Sequence, residues 1–371
     1  LSTGSHAGGM SGLDVPPVRV LHIMAGRGNG GAELYSTDVI LSLQHAGLSQ
    51  CVVMRPDAPR AAELRAAGVD VITDPLNVPF AMMQRRRVGR EIARYRPDIV
   101  HCWLRRAAEL TPPNTGRLAQ VIGWFGNYKD LRAFSHCRWF VGCTPDMADS
   151  MQARGVTADH VAYIPTFPSV EDAAPVSRRS LQTPDDARVL LTLSRLHEAK
   201  GLETLLRALR DLPDCYLWMA GDGPLRDALG DLAATLGVAS RVRFLGWRTD
   251  RGALLAAAEV CVLPSRYEPF GTVILDAWSA RAPLVACASA GPRAHVRDGE
   301  NGMLVPIDDV PALTHALRAV LDDPALRARI VAGGYAQYRA RYTREAVTQQ
   351  WLEYYRRICV PGSRHETRVT S

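Results

Sequence analysis

The sequence predicts an α/β protein built from two doubly wound domains that face a central cleft. Three observations carry that prediction. A chain of 371 residues is longer than a single hydrophobic core usually supports. Short apolar runs alternate with helical patterns along most of its length, as expected of parallel sheets with crossover helices. A polar, proline-bearing stretch over 165–186 interrupts this series, and a second αβ series starts after it.

Apolar residues make up 47% of the chain, enough for a sizeable core, and the formal charge of +6 suits an anionic small molecule or an anionic membrane surface as readily as nucleic acid. The eight cysteines are dispersed, with no CxxC and no Cys/His cluster, so they read as buried thiols of a reducing cytosol. No apolar run approaches the roughly 18 residues of a membrane span, so a soluble, cytoplasmic chain is expected. Residues 1–16 are Gly/Ser-rich at the start, carry Gly4-Ser5-His6, and read as a tag-derived tail outside the fold.

In the first half, an apolar run over 18–24 leads into Ala25-Gly26-Arg27-Gly28-Asn29-Gly30-Gly31-Ala32-Glu33 and a helical pattern. Strand, glycine loop and helix is the order of a ligand-binding first βα unit. Gly26, Gly28 and Gly31 also satisfy GxGxxG. A dinucleotide site needs an acidic residue about 20 positions on, but the second strand ends at Arg55, which suits only a phosphorylated ribose. An NADP-dependent oxidoreductase is therefore one alternative, and a glycine turn without a ligand is the plain one.

Helical patterns over 60–67 and 80–95 flank a strand over 69–73. The second helix carries Arg85, Arg86, Arg87, Arg90 and Arg94 beside Phe80, Met83, Val88 and Ile92. Such a helix either lies on an anionic membrane or shows water a basic face, and the solvated face is the preferred reading. Strands over 98–103 and 121–127 end in polar groups. Ligands meet parallel sheets at strand ends, so His101 and Asn127 are cleft candidates, although a lone histidine there is more often structural. A strand over 139–143 is followed by Thr144-Pro145, a capping residue and a proline at the first helical position.

In the second half, a strand over 189–193 precedes Ser194-Arg195-Leu196-His197-Glu198-Ala199-Lys200-Gly201, where two cations within one short loop can reach the same anion. Taken alone, such a pair is more often a solvated loop. Strands over 216–220, 242–247 and 260–263 follow, the last delivering Arg266-Tyr267-Glu268-Pro269-Phe270-Gly271-Thr272-Val273-Ile274-Leu275-Asp276. The amides of Gly271, Thr272 and Val273 are the unpaired donors of a starting helix, a plausible diphosphate site. Glu268 lies in the turn, and Asp276 falls one helical turn beyond Thr272 on the same face. A strand over 283–287 and helices over 310–321 and 342–358 complete the chain; Val347, Trp351, Leu352 and Tyr355 in the last read as packing.

Ser194-Arg195 with Lys200-Gly201, Gly221-Asp222-Gly223-Pro224-Leu225, Phe244-Leu245-Gly246-Trp247, Pro264-Ser265 with Glu268-Pro269-Phe270-Gly271, and Asp298-Gly299-Glu300-Asn301-Gly302 together resemble the family-4 retaining glycosyltransferases. Gly30-Gly31-Ala32-Glu33 and Pro97-Asp98-Ile99-Val100-His101 resemble that family more loosely. The resemblance implies a GT-B fold of two Rossmann-like domains. An acceptor domain would span 17–167, a linker 168–187, a nucleotide-sugar donor domain 188–340, a helix crossing back to the first domain 341–360, and a tail 361–371.

It further implies that Arg195 and Lys200 hold the donor diphosphate with amides near Phe270, Gly271, Thr272 and Val273. Glu268 would bind hydroxyls of the donor sugar. Asp276 would contact the ribose, at a place where the family pattern has glutamate. Gly246 would lie by the base, and Gly30 and Gly31 would approach the donor from the other domain. Many relatives place a histidine near the reacting sugar, in a strand corresponding roughly to residues 122–127. Here that stretch holds Trp124, Phe125, Gly126 and Asn127, which leaves His101 and Asn127 as acceptor-side candidates.

The expected activity is retaining, metal-independent transfer of a hexose from a nucleotide diphosphate sugar, UDP-linked by preference, to a hydroxyl of a glycan or glycolipid in cell-surface polysaccharide or lipopolysaccharide synthesis. No cofactor, metal or nucleic-acid partner is expected, and peripheral contact with an anionic membrane at the inner face of the plasma membrane stays open. The NADP-dependent oxidoreductase and a non-catalytic nucleotide or carbohydrate binder are the alternatives, with a sugar-nucleotide epimerase a weaker competitor of similar architecture.

Overall fold

The computed structural model describes residues 18–359 apart from 27–30, 59, 77–80, 127, 129, 169 and 171. Two parallel sheets organise it. The first contains β1 (Arg19–Met24), β2 (Ser49–Met54), β3 (Asp70–Thr73), β4 (Ile99–Trp103), β5 (Gln120–Phe125), β6 (Trp139–Gly142) and β7 (Val161–Tyr163). The second contains β8 (Arg188–Leu193), β9 (Cys215–Ala220), β10 (Val242–Gly246), β11 (Val260–Leu263), β12 (Leu284–Cys287) and β13 (Met303–Val305). Their orders, β3-β2-β1-β4-β5-β6-β7 and β10-β9-β8-β11-β12-β13, both reverse direction once, between β1 and β4 and between β8 and β11. The crevice beyond the carboxyl ends of the strands at such a reversal is where α/β sheets bind ligands.

The strands take this form because helices cover both faces of each sheet, so apolar residues are buried in succession instead of alternately. Every residue of β4, β6, β11 and β12 is buried. The Pro145–Ala153 helix starts as its sequence predicts, with Thr144 accepting a hydrogen bond from the Met147 amide. Apart from the short Ala290–His295 helix after β12, two helices are absent from the sequence expectations. One, Leu104–Leu110, follows β4 without a loop, and Leu104 turns the chain at φ 67°. The other, Pro324–Arg341, contains Gly333-Gly334, a pair that reads as a breaker. Both glycines instead allow close approach: a Cβ on Gly334 would stand 2.3 Å from the Trp278 ring, and one on Gly333 would stand 2.1 Å from the Glu300 carbonyl oxygen.

The helix Arg344–Cys359 packs against the first-domain helix Gly31–His45. Its Val347, Trp351, Tyr355 and Ile358 are fully buried, each contributing roughly 1.5–3 kcal/mol on the usual scale of apolar burial. Polar bonds fix its register. Trp351 Nε1 donates to the Tyr35 hydroxyl at 3.2 Å, Arg344 donates to Ser42 Oγ at 3.1 Å, and the Tyr355 hydroxyl lies 2.7 Å from His101 Nδ1. Residues of both sheets and of this helix share one apolar cluster, which includes Trp124, Val141, Phe167, Leu191, Phe270, Trp278 and Trp351.

The arginine-rich helix, Ala81–Tyr95, turns Gln84, Val88 and Ile92 inward, so its apolar stripe belongs to the core. Phe80 lies outside the described residues. Met82 and Met83 are exposed at 72% and 50%. Arg87 faces Asp74, Arg94 faces Glu91, and Arg85 donates to the Glu109 carbonyl. All eight cysteines are free thiols, seven of them buried. Among the described residues no helix is long and apolar enough to cross a membrane.

Three histidines are buried in the neutral form. Trp103 Nε1 donates to His22 Nδ1 at 3.1 Å, which leaves the His22 proton on Nε2 to reach Gln50 Oε1, also at 3.1 Å. Burial lowers His22 to about 3 and His295 to about 4, and it holds His101 well below the ordinary range. The folded values lie below the unfolded one, so the unfolded chain binds more protons once the pH drops under about 6.5. Stability is therefore full above that pH and falls by about 1.4 kcal/mol per pH unit for each such histidine as the pH moves toward the folded values. Urea unfolding should show a clearly lower midpoint at pH 5 than at pH 7.5; equal midpoints would contradict the neutral burial of these rings.

Candidate active site

The second sheet delivers two loops to one place. After β8 the chain passes Ser194 and Arg195, makes a single 3-10 turn over Glu198–Lys200, and leaves through Gly201 in the left-handed region at φ 59°. A Cβ on Gly201 would stand 2.2 Å from the Pro264 carbonyl oxygen, so only glycine lets this loop meet the one that follows β11. A backbone bond from the Tyr267 amide to the Ala199 carbonyl, 3.0 Å, ties the loops together. Arg266 reinforces them by donating to the Glu198 carbonyl at 2.8 Å while pairing with Glu203 and Asp308 at 3.1 and 2.9 Å. The Arg266 guanidinium holds the Asp308 carboxyl below the usual carboxylate range.

This scaffold brings together two residues 68 positions apart. Lys200 Nζ donates to Glu268 Oε2 at 2.6 Å, with both side chains mostly buried. Arg195, on the same loop as Lys200, is exposed and makes no side-chain hydrogen bond or ion pair among the described residues. The Glu268 carbonyl accepts from the Gly291 amide at 2.7 Å, which anchors the turn to the element after β12. Gly271, at φ 86°, then opens the Thr272–Ser279 helix, whose first amides have no helical acceptor. The predicted anion-facing backbone, the two cations and Glu268 thus share one edge of the sheet.

Other predicted residues have different surroundings. The Phe270 ring is buried against His295, with centroids 4.6 Å apart, so its side chain serves the core. Gly246 ends β10 and bridges to Gly221. Asp276 is fully buried and receives Arg251 Nη1 at 2.7 Å. Gly30 and Asn127 lie outside the described residues, and Gly31 begins the first helix.

His101 needs correction as an acceptor-side candidate. It has no exposed surface, stacks on Trp103 with centroids 4.1 Å apart, and meets Tyr355 of the last helix. The crossing helix covers this strand position, so His101 is a packing residue.

The first domain's wall comes from the end of β6 and the cap of the helix that follows it. Cys143, just after β6, is buried, and its thiol is pushed up to about 12, mainly by burial and in part by the Glu268 charge. Next to Cys143, the Tyr128 hydroxyl donates to Asp146 in the first turn of the Pro145–Ala153 helix. A mostly apolar pocket opens at the carboxyl ends of β1, β2 and β4, lined by Met24, Met54, Trp103, Glu33 and Arg60 among others. Arg60 is held there by Asp38 at 2.7 Å and Glu63 at 2.6 Å. No local sequence signal marked the Tyr128–Asp146 and Arg60–Asp38 contacts, which join residues 18 and 22 positions apart.

Residues 174–337 match the family model for glycosyl transferases group 1. The chain is 35% identical to the lipopolysaccharide core biosynthesis glycosyltransferase LpsE of Rhizobium meliloti, across 91% of this chain and 98% of that protein. It is 32% identical to LpsD of the same organism, which bears the same description, across 92% and 98%. The crystal structure of Anabaena HepE in complex with UDP and glucose is similar in fold, with a TM-score of 0.76 at 20% identity, across 92% of this chain and all of that one. The chain belongs to the glycosyl transferases group 1 family and is a glycosyltransferase of the GT-B fold.

Proposed function

We propose that the protein moves a hexose from a nucleotide diphosphate sugar, preferably a UDP-sugar, to a hydroxyl of a growing lipopolysaccharide core, with retention of configuration and without a metal ion. The observation that carries this reading is the Lys200–Glu268 pair beside the unengaged Arg195 at the start of the Thr272–Ser279 helix. A lysine ammonium has three donors, and Glu268 takes one. The others are available to a diphosphate, whose remaining charge Arg195 and the helix amides neutralise. Glu268 Oε1 is then positioned to accept from a hydroxyl of the transferred sugar. Trp247, 63% exposed beyond β10, offers a face for the base.

In the reaction the bond between the anomeric carbon and the diphosphate oxygen breaks as the acceptor oxygen bonds to the same face. The acceptor proton passes to the departing diphosphate. Arg195 and Lys200 stabilise the charge that develops on that leaving group, the electrostatic role a metal plays in other transferases. The acceptor approaches from the wall formed by Thr144 and the Tyr128–Asp146 pair. Descriptions of LpsE and LpsD support a lipopolysaccharide acceptor, and HepE with UDP and glucose supports a UDP-hexose donor. Exposed Met82 and Met83 with Arg86 and Arg90 form the proposed contact with an anionic membrane.

Slow hydrolysis of UDP-, GDP- and ADP-sugars tests the donor without knowledge of the acceptor, and one UDP-sugar should be cleaved at a rate EDTA leaves unchanged. Arg195→Ala and Lys200→Ala should each lower that turnover by on the order of 100-fold or more while circular dichroism stays native; near-normal rates in both would sink the assignment. In flotation assays, the protein should rise with anionic liposomes at low salt, and Met82→Ser with Met83→Ser should abolish this. Equal flotation of the variant would remove the methionines from the membrane contact.

A further inference from the structure

Asp276 occupies an unexpected position for a residue meant to meet a ligand. Its side chain is 1% exposed and points to the inside of the Thr272–Ser279 helix. Along with burial, its charge raises the Cys261 thiol within β11. A buried carboxylate there requires a cation. Arg251 supplies it, with Nη1 donating to Asp276 Oδ2 at 2.7 Å.

Arg251 is the first residue of the Arg251–Ala257 helix, which follows β10 and so rises from the same edge of the sheet as the Thr272–Ser279 helix. Its side chain is 29% exposed. Nη1 of the guanidinium is tied to the buried carboxylate while part of the side chain stays exposed. The neighbouring Arg248 is occupied by Asp250, with Nε to Oδ1 at 2.7 Å. What a ligand meets at this edge is a set of N–H donors, with the carboxylate hidden behind them.

We infer that Arg251, oriented by Asp276, reads the ribose hydroxyls of the donor nucleotide. This rests on the donor site proposed above. A diphosphate seated at the amides of Thr272 and Val273 has its sugar end at Glu268, so its nucleoside end extends the other way. Asp276 lies four residues, about 6 Å, along the helix from Thr272, which is the reach from a phosphate to its ribose. Arg251 covers Asp276 at that distance. The polarity is inverted relative to a carboxylate in that place: the ribose oxygens accept from the guanidinium instead of donating to an acid. Aspartate suffices because its task is to hold Arg251, and it does not itself have to span the gap.

Titration calorimetry with UDP, GDP and ADP, followed by the 2′-deoxy and 3′-deoxy forms of the tightest binder, tests this in the wild type, Arg251→Lys, Arg251→Ala, and Arg251→Leu combined with Asp276→Leu. The combined variant leaves no lone buried charge, so it keeps the test open if Arg251→Ala fails to fold. The wild type should lose about tenfold in affinity when a ribose hydroxyl is removed, the worth of a hydrogen bond to a charged group. Arg251→Ala and the combined variant should bind the ribose form about tenfold more weakly and no longer distinguish the deoxy forms. Arg251→Lys should retain part of the discrimination. Absence of discrimination in the wild type, or its full retention in folded Arg251 variants, would overturn the inference and leave the donor site standing. No nucleoside diphosphate binding by the wild type would overturn both.

Discussion

The donor half of the cleft depends on the 2.6 Å contact between Lys200 and Glu268. Neither residue could hold its place alone. Lys200 comes from a short turn that ends in a left-handed glycine, and Glu268 from a loop pinned by backbone bonds on both sides. The contact joins the loops beyond β8 and β11, which are adjacent strands because the sheet order reverses there. Partial burial strengthens the attraction and also makes separation of the charges expensive. A ligand carrying both an anion and hydroxyls can share the pair without breaking it, and a nucleotide diphosphate sugar has that composition.

The first domain contributes rigidity through aromatic packing. Tyr35, His101, Trp103, Trp124, Trp351 and Tyr355 form a connected set of ring contacts that fastens the last helix to the first sheet. Because that helix follows directly on the second domain, it links the two halves of the cleft. The neutral histidines are part of the arrangement: among the described residues, a protonated ring at position 22 or 101 would have no carboxylate hydrogen-bonded to it.

Much of the architecture was legible in the sequence because doubly wound sheets leave a strong local signal. Each strand is a short continuous apolar run, and Thr144-Pro145 announces its helix by capping chemistry alone. The motifs around Arg195, Lys200 and Glu268 located the donor edge, but only through a resemblance, since two cations in a loop are ambiguous by themselves. Three features escaped because tertiary packing decides them. His101 sits at a strand end, where ligands are expected, yet a helix more than 240 residues away covers it. Helical spacing places Asp276 near Thr272 but does not say whether that face looks outward, and the sheet turns it inward. The Pro324–Arg341 helix has no counterpart in the sequence expectations, and its Gly333-Gly334 pair fits because Trp278 and Glu300 leave no room for side chains there.

The central claim is that Lys200 and Glu268 act as one unit on the donor. A double-mutant cycle on donor hydrolysis, with Lys200→Met, Glu268→Gln and the two combined, measures this directly. If the pair works as a unit, the combined loss will be smaller than the product of the single losses by about tenfold or more. Losses that simply multiply would show that the two residues act independently, and would contradict the account.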